Sequence, residues 1–397
     1  MTEIPGTTGD RLRLARLAHG FSQQQLAGMA GVSRQAVSAV EAGHSDPSLR
    51  VAFALAQALG MTVEELFGPG DVAQPVPAVP VAPLDGPGGP GGPGGPGGRV
   101  LLAPVGDRFV ALPLRGDAAA DMGFVAAGGL AVPAAPAGAG EMARPGAAGA
   151  AGAPGAAGAI AVRPIGPLRP TLVVAGCDPA LPLLAAPLAL LDPPVAFAWW
   201  PCGSREALRL AAAGLVHVAG VHLRDAEGGY NATAASELPG GAEVVGFTAW
   251  REGLAIRPEL AGAVTGLDSV VKLGHRVVNR EPGAEARRLL DRELGRLGID
   301  PAELSGYDSR AAGHLQVASA VAAGLADAGV ASEPAARAYG LGFVPLADER
   351  FDLVLPGAYL GSREVQGLLR VLASRWLLAQ LASLPGYDLA TCGDRVR

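Results

Sequence analysis

Lysine is all but missing from this chain of 397 residues: Lys272 is the only one, and arginine supplies the rest of the basic side chains. That skew, with so much Ala, Gly and Pro, reflects a genome rich in G and C more simply than a function. With 37 acidic against 31 basic residues the formal net charge is −6, which argues against a nonspecific nucleic-acid coat protein. The three cysteines, Cys177, Cys202 and Cys392, are far apart and form no Cys-x-x-Cys pair. Their spacing indicates neither a disulfide framework nor a metal site. The start, MTEIPGTTGDRLRL, lacks the basic-then-apolar pattern of a signal peptide. The most apolar stretch, Thr171 to Trp200, is interrupted by Asp178, Asp192 and the Pro193-Pro194 pair. It reads as strand, helix and strand, not as one membrane-spanning helix. The expectation is a soluble cytoplasmic protein with no membrane partner. There is no Gly-x-x-x-x-Gly-Lys phosphate loop, no Ser/His/Asp constellation and no carboxylate pair at a telling spacing, so no catalytic residue, cofactor or enzymatic activity is expected.

What the chain has in abundance is glycine (58), proline (34) and apolar side chains (49%), on a length that suits two or three domains. Residues 1–68 form a helical head. Residues 69–98 begin Pro/Val-rich and end in repeated Gly-Gly-Pro, the composition of a flexible to polyproline-like linker. Residues 99–168 predict a small β unit: RVLLAPVGDRFVALPL alternates about a turn at Val105 to Arg108 and predicts a hairpin, with further strands at 122–131 and 160–165. Its segment 134–159, Ala/Gly/Pro-rich without apolar period, reads as a disordered insertion. From residue 170 to 397 strands and helices alternate, as in an α/β body. Within it, 244–256 looks like a strand pair, 310–323 like a helix, and 341–345 and 351–355 like separate late strands.

The head is organised by FSQQQLAGMAGVSRQAVSAVEAG, Phe21 to Gly43. Ser22 is an N-cap candidate for a helix from Gln23 to Met29, and Gly31 can supply the positive φ that ends it. Ser33 caps a second helix, Arg34 to Ala42. Leu26, Ala27 and Ala30 share one face, and Val37 and Val40 share another. In the next helix Leu49, Phe53, Leu55, Ala56 and Leu59 are expected to face the core. Two short helices about a tight turn are the helix-turn-helix layout. Residues 10–67 resemble the Xre/λ-repressor-like DNA-binding domain through LRLARLAHGFSQQQLAGMAGVSRQAVSAVEAG, DPSLRVAFALAQALG and TVEELF. The resemblance implies that Gln23 contacts DNA backbone, that Arg34, Gln35 and Ser38 face the bases beside Ser33, and that Arg16 and Glu41 form an ion pair. Arginine suits guanine and glutamine suits adenine. The head carries as many acidic as basic residues, so nonspecific affinity is modest and a homodimer on a double-stranded operator is expected.

The body resembles the type-II periplasmic-binding-protein fold, and more closely the PBP-like domain found fused to helix-turn-helix regulators and to molybdenum-cofactor proteins. GCDPAL, CGSREAL, VAGVHL, GGYN, REGL, VNREPGAEARRLLD, ADAGV and GYD carry this, in that order. The resemblance implies two α/β lobes with a ligand cleft, where helix N-termini offer free N–H groups to anions. Gly203-Ser204 and Pro282-Gly283 read as the strand-to-helix turns of that kind. Asp178, His222, Tyr230, Asn231, Arg251, Asn279 and Arg280 are the other ligand-site candidates. Each has a structural alternative: Ser204 and Asp178 as caps, Arg251 and Arg280 as partners of Glu252 and Glu281, and His222 as a satisfied core histidine. Ala284, Glu285 and Ala286 stand where anion-binding relatives place Ser, Gly and Thr. A molybdate-like oxyanion or a pterin-type compound is the ligand class implied. The whole is expected to be a multidomain protein: an all-α five-helix head, a small β unit and a two-lobed α/β body, acting as a ligand-responsive transcription regulator. An enzyme of molybdenum-cofactor metabolism carrying a DNA-binding head, or a protein-binding scaffold, are the alternatives.

Overall fold

The computed structural model describes residues 8–67, 74–84, 98–116, 119, 122–132, 158–166, 168–224 and 229–396. It divides into two units, Met1–Pro75 with Arg163–Pro167, and Val76–Val162 with Leu168–Arg397. The first unit holds five helices: α1 (Thr8–Ala18), α2 (Gln23–Ala30), α3 (Arg34–Glu41), α4 (Leu49–Ala58) and α5 (Val63–Phe67). The caps are those the residues foretell. Ser22 and Gln25 form a capping box on α2, Gly31 closes it at φ 63°, and Ser33 Oγ accepts from the Ala36 N–H. Leu12, Leu26, Val37, Val40, Leu55, Leu59 and Leu66 make its core. Leu49 and Phe53 do not join it; they are 71% and 59% exposed. They lie four apart on α4, whereas Ala52, Leu55, Ala56 and Leu59 form the buried stripe.

In the second unit β1 (Val76–Pro80), β2 (Arg99–Val105), β3 (Arg108–Pro113), β4 (Gly129–Ala131) and β5 (Ile160–Pro164) close into a barrel in the order β1-β3-β2-β4-β5. The expected hairpin is β2–β3, turning at Gly106 with φ 60°. Strand β1 corrects the linker: Val76–Pro80 pairs with β3 and β5 and closes the barrel, since alternating Val and Pro already favour an extended backbone. The Gly-Gly-Pro repeat at 85–97 and the insertion at 134–157 lie outside the described residues.

The body follows as β6 (Thr171–Gly176), α6 (Ala185–Ala189), β7 (Ala196–Pro201), α7 (Ser204–Ala212), β8 (Val218–Val221), α8 (Ala232–Ser236), β9 (Ala242–Ile256), α9 (Leu267–Lys272), β10 (Val277–Arg280), α10 (Glu285–Leu297), β11 (Arg310–Ala311), α11 (His314–Ala322), β12 (Ala328–Ser332), α12 (Glu333–Ala338), β13 (Gly342–Pro356), α13 (Arg363–Leu372), α14 (Arg375–Ala382), β14 (Tyr387–Asp388) and β15 (Arg395–Val396). The strands form one ten-stranded sheet, β11-β10-β12-β9-β13-β8-β6-β7, with β14 and β15 also on β9. The supposed strand pair at 244–256 is the single strand β9, and the two late strands are the single strand β13. They pair antiparallel along their whole length, Gly342 with Ile256 to Pro356 with Ala242. One half of each builds lobe 1 with β6, β7 and β8; the other half builds lobe 2 with β10, β11 and β12. Helices cover both faces of each half. In lobe 1 Leu184, Leu188, Leu368 and Leu372 pack on one side. On the other, Ala207 and Leu210 of α7 share a core with Val105, Val110 and Leu112 of the barrel. The barrel is therefore packed against lobe 1.

His217, just before β8, is 3% exposed and its Nδ1 accepts from the Val173 N–H at 3.1 Å. Burial lowers its pKa to about 4, against a small opposing pull from Glu364. The unfolded chain therefore takes up a proton near pH 6.5 that the folded protein refuses. Stability should fall as pH drops from about 6.5 to 4, by up to roughly 3 kcal/mol from this residue. Urea unfolding of the His217→Asn variant over that range should show a flatter pH dependence than the unmutated protein.

Candidate functional site

On α3 the side chains of Arg34, Gln35 and Ser38, with the cap Ser33, are exposed together on the helix's outer face. Arg16 and Glu41 form the expected pair, at 2.6 and 3.1 Å. Gln23 is a partial correction: its amide is engaged, donating to Glu41 Oε2 at 2.8 Å, so it helps brace the start of α2 against α3.

The second site lies where β9 and β13 cross between the lobes. Two register shifts, at Pro345/Ala347 and Phe351/Asp352, bracket a segment in which Thr248–Glu252 faces Ala347–Phe351. Trp250 is directly opposite Glu349 and Thr248 opposite Phe351. The period of two turns Thr248, Trp250, Glu252, Glu349 and Phe351 inward, and Arg251 and Asp348 to solvent. Strand ends from both lobes converge on this face. Cys177 follows β6 and His222 follows β8 in lobe 1; Ser332 ends β12 and His314 opens α11 in lobe 2. His222 Nδ1 lies 3.5 Å from Glu349 Oε2, and His314 Nδ1 3.8 Å from Glu252 Oε1. The rings of His222, Trp250 and His314 pack on one another with centroids 5.6 to 6.2 Å apart. The lobes meet here: a β-carbon on Gly203 would lie 4.0 Å from the Ala284 Cα, and Arg205 Nε is 3.7 Å from Glu285 Oε1.

Among the described residues, several polar atoms of this cluster are buried and find no hydrogen-bond partner: His222 Nδ1, both carboxylate oxygens of Glu252, Trp250 Nε1, His314 Nε2 and Ser332 Oγ. Each costs on the order of 1–3 kcal/mol if left so. His314 Nδ1 accepts from the Ser332 N–H at 3.2 Å, which places the proton of the neutral ring on Nε2, a donor. Burial raises the Glu252 carboxyl to about 7, the Glu349 charge adding to it and His222 opposing. Burial, Arg280 and His222 together push His314 well below the ordinary histidine value. A cavity of about 20 Å3 adjoins the cluster, lined by Cys177, Trp199, Cys202, Gly313 and His314 among others. A wider concavity of about 610 Å3 at Pro301 to Ser309 is formed by one surface loop and lies apart from these groups, so the chemistry favours the inter-lobe cluster.

The ligand-site candidates read from the sequence surround this cluster more than they form it. Asp178 is fully buried, but Tyr387 Oη (2.6 Å), Thr248 Oγ1 (2.6 Å) and the Ala180 N–H (2.8 Å) already donate to it. Ser204 Oγ accepts from the His222 N–H at 3.0 Å and so holds that histidine's backbone. Asn231, at φ 64°, clasps the Leu223 N–H, the Arg350 carbonyl and Asp352. Tyr230 Oη donates to the Asp348 carbonyl. Asn279 bridges the Arg280 N–H and the Tyr307 carbonyl. Arg280 is buried and bound by Glu281 at 2.8 and 2.9 Å. Arg251 is corrected outright: it points to solvent, 49% exposed, and pairs with Glu333 and not Glu252. Gly203 and Gly283 do stand at the N-terminal turns of α7 and α10, Gly283 at φ 93°. Of the candidates, His222 alone joins the unpartnered cluster. The period-two pattern of TAWRE and ERF was the signal for Glu252 and Glu349, hidden because Arg251-Glu252-Gly253 looks like a turn.

Residues 185–373 match the family model of the PBP superfamily domain, and residues 12–66 match a helix-turn-helix model. The uncharacterized protein YvgK of Bacillus subtilis (strain 168) is 30% identical over 230 residues, 57% of this chain and 73% of that protein. This chain belongs to the PBP superfamily and carries a helix-turn-helix head. An uncharacterized HTH-type transcriptional regulator of Methanocaldococcus jannaschii is 41% identical over 58 residues, 15% of this chain and 88% of that one. Among solved structures, a putative phosphate ABC transporter substrate-binding protein with bound phosphate from Clostridium perfringens covers 57% of this chain and all of its own, at 14% identity and TM-score 0.41. No described helix is long and apolar enough to cross a membrane.

If Asp178 is a structural anchor of the cleft wall, Tyr387→Phe should cost roughly 2 kcal/mol, the worth of one hydrogen bond to a charged group. Chemical denaturation would read that loss. Ligand affinity of the folded variant should change by less than about threefold, roughly 0.6 kcal/mol.

Proposed function

We propose that this PBP-superfamily protein is a one-component transcription regulator. Its α3 helix reads operator DNA, and a small molecule taken up between the two lobes of the body controls that reading. The observation that carries the sensor half is the buried cluster at the β9–β13 crossing, whose unpartnered polar atoms come from both lobes and therefore tie occupancy to lobe closure. A ligand regulates only through unequal affinity for two states, and contacts from both lobes supply that inequality. The reader acts as a homodimer on two half-sites about one DNA turn apart. Exposed Leu49 and Phe53 on α4 offer an apolar stripe for a second copy. Glu252 and Glu349 in the cluster disfavour a bare oxyanion such as molybdate. The alternative of a protein-binding scaffold does not explain why both lobes aim unpartnered polar atoms at one point.

Two measurements test this. Thermal melting of the full chain against molybdate, tungstate, sulfate, phosphate, pterins and divalent metal ions should show a ligand-dependent rise. A flat response to all of them would remove the sensor. On an operator selected in vitro, the Arg34→Ala/Gln35→Ala variant should bind roughly 100-fold more weakly, two base contacts of about 1–3 kcal/mol each, with ligand-dependent melting unchanged. Retained operator affinity would refute the assignment of α3.

A further inference from the structure

We infer that the inter-lobe cluster is a binding site for a divalent first-row transition-metal ion, with His222 Nδ1, Glu252 and Glu349 as its protein ligands. This names the ligand of the sensor proposed above and rests on that reading. Among the described residues, the donor atoms of His222, Glu252 and Glu349 lie within 4.8 Å of one another, and all three residues are buried. A second trio, Cys177, His222 and His314, meets the same limit and shares the His222 ring.

Geometry and charge point the same way. Ions bound by histidine nitrogen and carboxylate oxygen sit about 2.0–2.2 Å from each, so adjacent donors stand roughly 3–4 Å apart. The His222 Nδ1 to Glu349 Oε2 separation of 3.5 Å falls in that interval, too long for a hydrogen bond of ordinary strength. His222 Nδ1 and both oxygens of Glu252 are without a partner. Two carboxylates, at 0% and 4% exposure, face the same imidazole. Among the described residues, the only ion-pair contact within 4.0 Å of each is a histidine, His314 for Glu252 and His222 for Glu349. Arg280, the buried guanidinium of this region, is held by Glu281. A divalent ion answers the charge of the two buried carboxylates, which an oxyanion does not. Imidazole with carboxylate, and a thiol one ring away at Cys177, suits zinc, cobalt or nickel better than magnesium or calcium. His314 is a positioning residue in this scheme. Its Nδ1 is occupied by the Ser332 N–H, and its Nε2–H remains as a donor.

The ligands come from two strands and the residue after a third. Glu252 and Glu349 sit on β9 and β13 where these pass between the lobes, and His222 follows β8 of lobe 1. Glu252 lies where β9 pairs with β12 of lobe 2, opposite Ser332, so an ion shared with His222 ties one lobe to the other.

The test uses the full chain after chelator treatment, titrated by calorimetry with Zn2+, Co2+, Ni2+ and Mn2+. The expected result is one ion per chain and, for Co2+, a visible d–d absorption band. Binding should weaken more than about tenfold, roughly 1.4 kcal/mol, in Glu252→Gln and in Glu349→Gln. It should persist in Arg251→Ala, whose side chain points away. The glutamine variants keep the side-chain shape, and the Co2+ spectrum of the unmutated chain reads the ligand set without any variant. No binding of any of the four ions at about 0.1 mM would overturn the metal site, as would binding that both glutamine variants leave unchanged. If a pterin or oxyanion stabilises the chain and no ion binds, the sensor stands and the metal falls. If the ion binds as described and operator affinity does not respond to it, the metal site stands and the sensor falls.

Discussion

The structure depends on one backbone pairing: two fifteen-residue strands, β9 and β13, hydrogen-bonded along their length and shared by both lobes. A strand pair that long cannot remain flat. The register shifts at Pro345/Ala347 and Phe351/Asp352 bend it on either side of the crossing. The bends isolate a short stretch in which alternation alone decides which side chains face the cleft. Because Trp250 and Phe351 must be buried there, Glu252 and Glu349, in phase with them, are buried too. Taking two carboxylates out of water is costly unless something answers their charge. The site is thus where the fold places its least satisfied polar groups.

Around that centre the protein spends several hydrogen bonds on holding walls in place. Asp178 ties the loop after β6 to β9 and to Tyr387 near the chain's end. Ser204 fixes the His222 backbone, and Asn231 binds the loop after β8 to β13. Each was a plausible ligand contact by residue type. Each instead is hydrogen-bonded within the protein, and so sets the position of groups that are not engaged. Such a frame holds the walls of the inter-lobe cluster in fixed positions.

The head obeys simpler rules. Ser22, Gln25, Gly31 and Ser33 satisfy the helix ends locally, and the Arg16–Glu41 pair locks α1 to α3. The exposed residues at the start of α3 are then presented on a fixed scaffold. Net charge does not help it find DNA, so any control of dimerisation by the body acts directly on operator affinity through the effective concentration of the heads.

Much of this was legible in one dimension. Helix caps, the hairpin turn at Gly106, the alternating β/α pattern of the body and the family motifs act over a few residues, and their outcome does not depend on distant partners. Leu49 and Phe53 fooled the helical pattern because apolar residues fit two stripes of α4, and only packing chose between them. Val76–Pro80 looked like linker because proline-rich composition carries no record of the edge it will pair with. The cleft was the least legible part. Cys177, His222, Glu252, His314 and Glu349 come from five separate segments, and no spacing joins them. What the sequence by itself determined was the kind of protein: a capped five-helix head and an α/β body. What only the tertiary structure decided was which charges end up buried together, since that follows from where two long strands cross and bend.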